Sequence, residues 1–219
     1  MIKAVIFDFD DTLSDRKLNV FNLYYDYFKN VYPQLDEMEF ESLVQDLMIY
    51  DCFGTTNLSE RCYLLKNHYK LPENFFEKFD DYYFDALPKF TVLHDDTIEV
   101  LEKLKDKYKL GIITNGDSVV QHNKIKNVNI EKYFDEIIVS GDVGINKPDP
   151  AIFKIMADRL GLMPEECMFV GDIFSSDIIG AIKAKMVPCW YISDDGKPSK
   201  YTGFRINKLS KLLNILNIE

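Results

Sequence analysis

Along this chain the hydrophobic pattern changes its period twice. The run Lys3-Ala4-Val5-Ile6-Phe7 is short, apolar after its first residue and partly β-branched, and it passes straight into acids, as a buried parallel strand does at its carboxyl end. From about residue 18 to residue 90 the apolar residues recur at helical spacing instead. Leu18, Phe21, Tyr25, Phe28 and Tyr32 fall on one helix face, and Phe40, Leu43, Val44, Leu47 and Met48 on another. Two further helices are expected at about 58–69 and 73–87, separated by Pro72 and closed before Pro88. Beyond Phe90, expected helices at 96–108, 118–126, 150–160 and 176–185 alternate with expected strands at 110–113, 136–140, 168–170 and 188–192. Gly161 marks a helix stop, and a short apolar helix at 209–216 closes the pattern.

Strands separated by helices of this length imply right-handed crossovers and a parallel sheet covered on both faces. The pattern therefore predicts an α/β fold, a Rossmann-like parallel sheet core with helices on both faces, into which an all-helical bundle is inserted after the first strand. The boundaries expected are 1–15 and 89–219 for the core and 16–88 for the bundle. The tyrosines and phenylalanines concentrated in the bundle serve packing there, since a small bundle needs such faces for its own core.

Composition narrows the partners. A formal net charge of −10, with 26 basic residues against 36 acidic ones and no basic block, argues against a nucleic acid polymer. A small anion can still be held by a few local donors. No apolar run approaches the roughly 20 residues of a membrane helix, so neither export nor membrane insertion is expected. Cys52, Cys62, Cys167 and Cys189 are scattered without a Cys-x-x-Cys pair, which reads as reduced thiols in a cytoplasmic protein. His68, His94 and His122 lie on helices or their flanks without companions at ligand spacing. The sequence sets no oligomeric state.

Parallel sheets place ligands beyond the carboxyl ends of their strands, so the polar residues found there are read together. In Asp8-Phe9-Asp10-Asp11-Thr12-Leu13, two acids one residue apart at a strand mouth repel each other unless a cation or a proton is used between them. Magnesium prefers such hard oxygen donors, usually one or two carboxylates with water and substrate phosphate. Asp8 can serve as a ligand and attack phosphorus, while Asp10 can protonate a leaving alkoxide and later take a proton from water. Gly171-Asp172-Ile173-Phe174-Ser175-Ser176-Asp177 supplies a second metal carboxylate in Asp172, with Asp177 placed to fix a metal-bound water or a lysine ammonium. Thr114 and Asn115, before Gly116, offer a hydroxyl and backbone amides for a phosphoryl oxygen. Lys147 adds a compact positive charge, in a loop stiffened by Pro148 and Pro150.

These four segments, in this order over nearly the whole chain, resemble the four motifs of the haloacid dehalogenase superfamily of aspartate-nucleophile hydrolases. The resemblance implies a helical cap inserted after the first motif. It also implies Asp8 as nucleophile, Asp10 as acid and base, and Thr114, Asn115 and Lys147 as phosphate holders. Asp8, Asp172 and the main-chain oxygen of Asp10 would be ligands of Mg2+, with Asp177 behind them as a partner of the lysine. Asp11, where many relatives carry Gly, and Ile173, often Ser, are departures.

The function expected is a magnesium-dependent phosphatase acting on a small phosphorylated metabolite, a nucleotide or a sugar phosphate for example, through a phospho-aspartate. The second acid, Asp10, counts against a dehalogenase, whose leaving halide needs no proton. A phosphomutase of the same family, differing at its cap surface, stays open. So does a phospho-accepting signalling or binding module, which would be shorter and lack the cap. Arg16 and Arg61 are candidates for meeting an anionic part of the substrate.

Overall fold

The computed structural model of the chain describes residues 1–52, 56–69, 79–192 and 198–218. In chain order its elements are β1 (Ala4–Phe7), α1 (Arg16–Val31), α2 (Glu37–Asp51), α3 (Leu58–Tyr69), α4 (Phe79–Ala86), α5 (Thr97–Lys105), β2 (Lys109–Thr114), α6 (Ser118–Asn127), β3 (Glu136–Val139), α7 (Ser140–Val143), α8 (Pro150–Leu160), β4 (Cys167–Gly171), α9 (Ile179–Ala184), β5 (Val187–Tyr191), β6 (Phe204–Ile206) and α10 (Lys211–Ile215). Contacts divide them into two compact units, residues Met1–Asp15 with Leu93–Glu219, and Arg16–Val92. The second crossing thus lies at 92/93 rather than the expected 88/89, because a 3-10 turn at Leu87–Phe90 packs with α1 and α4.

The larger unit is the expected α/β architecture. Its sheet has the order β3-β2-β1-β4-β5-β6, and every neighbouring pair is parallel. β1 lies in the interior, with Phe7 opposite Ile112 of β2 on one side and Val170 of β4 on the other. All four β1 residues are inaccessible, and alternation divides them between two cores. Val5 and Phe7 pack with Val100, Leu101 and Leu104 of α5, Ile125 of α6 and Leu212 of α10. Ala4 and Ile6 pack with Ile152, Phe153 and Met156 of α8 and with Ala181 and Ala184 of α9. Burial of both faces explains why this strand reads as an unbroken apolar run.

Helix α8 shows the local logic. Asp149 accepts the Ala151 N–H at its start, Pro150 occupies the first turn, and Gly161 ends it in the left-handed region. Short α7 and β6 were not expected. β6 has three residues, only Ile206 of which is buried, too few to display a period. The expected helix at 176–185 instead begins as a π-helical turn at Phe174–Ile178 before α9.

The smaller unit contains α1 to α4; the part of the expected 73–87 helix before Phe79 lies outside the described residues. Tyr24, Tyr27 and Phe28 of α1 pack around Phe79 of α4 with ring centroids 4.8–6.0 Å apart. Arg16 and Arg61 are not solvated arginines: both are buried and converge on Asp51 at the end of α2. Arg61 also donates to the Tyr24 hydroxyl at 2.9 Å and to the Thr56 carbonyl at 2.7 Å. Their guanidiniums are engaged in tying α1, α2 and α3 together.

Candidate active site

The sheet brings the separate motifs to one edge. Asp8 is the first residue past β1, and its N–H donates to the Val170 carbonyl at 2.8 Å. Thr114 ends β2 and Asp172 follows β4, so these polar residues stand at the carboxyl ends of three adjacent strands, β1 in the middle. The chain leaves β1 to form β2 on one side and β4 on the other, which is the switch point where open parallel sheets bind ligands. Lys147 arrives on the loop between α7 and α8. Asn115 clasps it there: its Oδ1 accepts the Lys147 N–H at 2.8 Å and its Nδ2 donates to the Lys147 carbonyl at 3.0 Å. The Asn115 side chain is thus occupied with the lysine loop, which leaves its backbone amide for the phosphate contact expected of this turn.

Three carboxylates meet here. Oxygens of Asp8, Asp172 and Asp177 lie within 4.8 Å of one another. The buried Lys147 Nζ bridges two of them, at 2.7 Å from Asp8 Oδ1 and 2.8 Å from Asp177 Oδ1. The other oxygen of Asp177 accepts the Ile173 N–H at 2.9 Å, a backbone bond that does not depend on the residue 173 side chain. Gly171 permits the approach, since a Cβ there would come within 2.6 Å of the Asp177 side chain. Thr12 Oγ1 donates to Asp172 Oδ1 at 3.3 Å, and the Trp190 indole donates to the Asp172 carbonyl at 2.8 Å. Asp11 is left-handed, with φ 56°, a conformation that suits Gly and that Asp tolerates.

The electrostatics follow from burial. Loss of water pushes Asp8 up to about 7; Lys147 pulls it down, and Asp177 and Asp10 add to the rise. Burial likewise holds Asp172 well above the usual carboxylate range, reinforced by Asp8 and Asp177. For Lys147 burial works against the charge, but Asp177 and Asp8 together outweigh it and raise its affinity for the proton. Without a cation, burial therefore favours the protonated form of Asp8. A hard divalent cation among these oxygens fits the donor set and would restore the ionised form.

Asp10 sits in a second network, which the sequence did not reveal. Gln121 of α6 donates to Asp10 Oδ2 at 2.9 Å and to Thr114 Oγ1 at 2.6 Å from the same Nε2. Lys124 Nζ pairs with Asp10 Oδ1 and donates to Gln121 Oε1 at 3.0 Å. Both residues are buried, Lys124 at 1% exposure. The available signal was the three-residue spacing of Gln121 and Lys124, which puts them on one face of a helix that starts three residues after Asn115. His122, on another face, pairs with Asp142 of α7 at 2.9 Å.

A family model for haloacid dehalogenase-like hydrolases matches residues 5–190. The chain is 32% identical over 196 residues to a glyceraldehyde 3-phosphate phosphatase of Methanopyrus kandleri, covering 85% of this chain and 82% of that protein. It is 35% identical over 106 residues to the N-acylneuraminate-9-phosphatase of Mus musculus, covering 48% of this chain and 43% of the other. Among solved structures, the HAD-hydrolase YfnB of Bacillus subtilis bound to magnesium superposes with a TM-score of 0.78 at 25% identity, over 99% of both chains. Sheet order, strand-end carboxylates and these likenesses agree: the chain belongs to the haloacid dehalogenase-like hydrolase family and is a phosphatase of that family.

Proposed function

We propose that this phosphatase hydrolyses a small phosphorylated metabolite, of the size of a sugar phosphate or a nucleotide, with magnesium and through a phospho-aspartate on Asp8. The observation that carries the reading is the single ammonium of Lys147 shared by Asp8 and Asp177 beside Asp172. That cluster is overloaded with negative charge unless a cation joins it, and a phosphate dianion would add more. Asp8, Asp172 and the main-chain oxygen of Asp10 would hold the ion. Both oxygens of Asp177 are engaged with Lys147 and the Ile173 N–H, which suits an orienting role better than a ligand's. Bound there, magnesium supplies charge neutralisation between the carboxylates and the phosphoryl oxygens.

In this reading the Asp8 carboxylate attacks phosphorus, the bond to the ester oxygen breaks, and Asp10 gives that oxygen its proton. Asp10 then takes a proton from the water that cleaves the acyl phosphate, releasing inorganic phosphate and restoring Asp8. Thr114 Oγ accepts from Gln121, so its own hydrogen is available to a phosphoryl oxygen. Lys147 neutralises the same group, and Asn115 contributes by fixing the lysine loop and through its backbone amide. Relatives that act on a triose phosphate and on a sialic acid phosphate support the substrate class. Four cysteines without disulfides suit a cytoplasmic setting, and no described helix is long and apolar enough to cross a membrane.

The test is phosphate release from a panel of phosphometabolites and from an aryl phosphate, with chelator and with magnesium restored. Turnover is expected to vanish in chelator and return with magnesium. Undiminished turnover in chelator would remove the metal, and no release from any member would remove the phosphatase reading.

A further inference from the structure

Asp10 can serve as proton donor and acceptor only if its carboxylate is held at one orientation, and the Ser14 hydroxyl of its own strand-end loop reaches Oδ1 at 3.4 Å. Helix α6 adds shorter contacts to both oxygens. Lys124 and Ser14 address Asp10 Oδ1, and Gln121 addresses Oδ2. The Gln121 amide has two hydrogens, and it spends one on Asp10 and the other on Thr114, while its oxygen accepts from Lys124. Asp10, Lys124 and Gln121 thus close a ring of hydrogen bonds, with Thr114 attached at the amide.

Several features serve this ring. Gly116, with φ 151°, leaves room for Gln121, since a Cβ there would lie 2.8 Å from Gln121 Cγ. Asp117 caps α6 by accepting the Val120 N–H at 3.0 Å, which sets the helix start. The Lys124 ammonium lies 5.3 Å from the Phe9 ring centroid. Stability alone does not account for a lysine this deeply buried, because an apolar side chain of similar length would avoid the desolvation cost.

We propose that Gln121 and Lys124 are positioning residues for the reaction: they hold the Asp10 carboxylate at a fixed spacing from the Thr114 hydroxyl, so that the proton-transfer group is aligned with the bound phosphoryl group. The inference rests on the reading of Asp10 as acid and base. It concerns the proton-transfer part of the reaction, and this makes it separable from substrate binding and from folding.

The experiment compares wild type, Lys124→Met, Gln121→Leu, Asp10→Asn and the doubles with Asp10→Asn, at saturating magnesium, on 4-nitrophenyl phosphate and phenyl phosphate. Nitrophenolate leaves with little need of a proton, whereas phenolate needs more help. Loss of alignment is expected to lower kcat/KM, which reports the step that expels the leaving group, by about 10- to 100-fold on phenyl phosphate, with a much smaller loss on the nitrophenyl ester. In the Asp10→Asn background Lys124→Met and Gln121→Leu are expected to add less than about twofold, because the group they act through is gone. Equal losses in kcat/KM on both esters, additive losses in the doubles, or wild-type kinetics in both single variants would overturn the proposal. Thermal unfolding is read beside the kinetics; if Lys124→Met does not fold, Gln121→Leu and Lys124→Arg carry the same test, the arginine being expected to restore part of the phenyl phosphate rate. Wild type that cleaves neither ester nor any panel metabolite would instead remove the phosphatase reading on which the proposal stands.

Discussion

Each of the two units buries a cluster of charges, and the clusters are opposite in composition. In the core unit the carboxylates of Asp8 and Asp177 share the ammonium of Lys147, with the carboxylate of Asp172 beside them. In the helical unit the guanidiniums of Arg16 and Arg61 share the carboxylate of Asp51. The difference lies in how each is completed. Arg61 is completed from within its unit, by the Tyr24 hydroxyl and the Thr56 carbonyl, and the outcome is three helices tied together. The core cluster keeps like charges side by side, so that Asp8 is pushed up to about 7, first by burial and then by its acidic neighbours. Buried charge satisfied by the polypeptide is architecture; buried charge left in conflict marks a place where a ligand belongs.

The largest expected effect tests that contrast on the core side. Asp8→Asn keeps the shape of the side chain but removes the proposed nucleophile, so phosphate release should fall by a factor on the order of 10³ or more while circular dichroism stays that of wild type. Asp51→Ala should do the reverse. It strands two guanidiniums in the helical unit, a change expected to cost about 3–5 kcal/mol of stability in denaturant unfolding. Should Asp51→Ala unfold at the wild-type denaturant concentration, the helical cluster is not structural and the comparison fails. Asp8→Asn that still turns over would move the nucleophile elsewhere.

The contrast also explains what was legible in the sequence. Asp8, Thr114 and Asp172 were visible because each ends or follows an apolar run where a parallel sheet exposes its strand ends, and Lys147 because it sits in a loop stiffened by Pro148 and Pro150. The strands of the core were visible for the same reason, being buried on both faces. Gln121 and Lys124 were hidden because polar residues on a helix ordinarily mean a solvent face. Here α6 buries polar Gln121 and Lys124 beside Ile125, with Lys124 against Asp10, while Val119 is 67% exposed. Arg16, Arg61 and Asp51 were hidden because their pairing joins residues 35 or more positions away from Arg16, which no local period records. Strand β6 was hidden by its length, with one buried residue to show.

The smallest expected effect has the opposite sign to the others. In the metal-free protein Asp172 is held well above the usual carboxylate range, chiefly by burial and then by Asp8 and Asp177. A carboxyl whose folded-state affinity for protons exceeds its unfolded one favours folding in the protonated form. Its contribution is present below the unfolded value, 3.8, and is lost as pH rises through the folded value. Asp172→Asn keeps an oxygen for Thr12 and cannot ionise, so it should escape that loss and relieve Asp8 as well. In chelator at pH 8 the variant is expected to be more stable than wild type by about 0.5–2 kcal/mol, the range of single stabilising substitutions. The gain should be smaller at pH 5, nearer the unfolded value, and magnesium should stabilise wild type more than the variant. Paired unfolding curves at the two pH values, with and without magnesium, read all of this. A variant less stable than metal-free wild type at pH 8 would mean that the three carboxylates are satisfied by the polypeptide after all, as Asp51 is, and that the core cluster needs no cation to be complete.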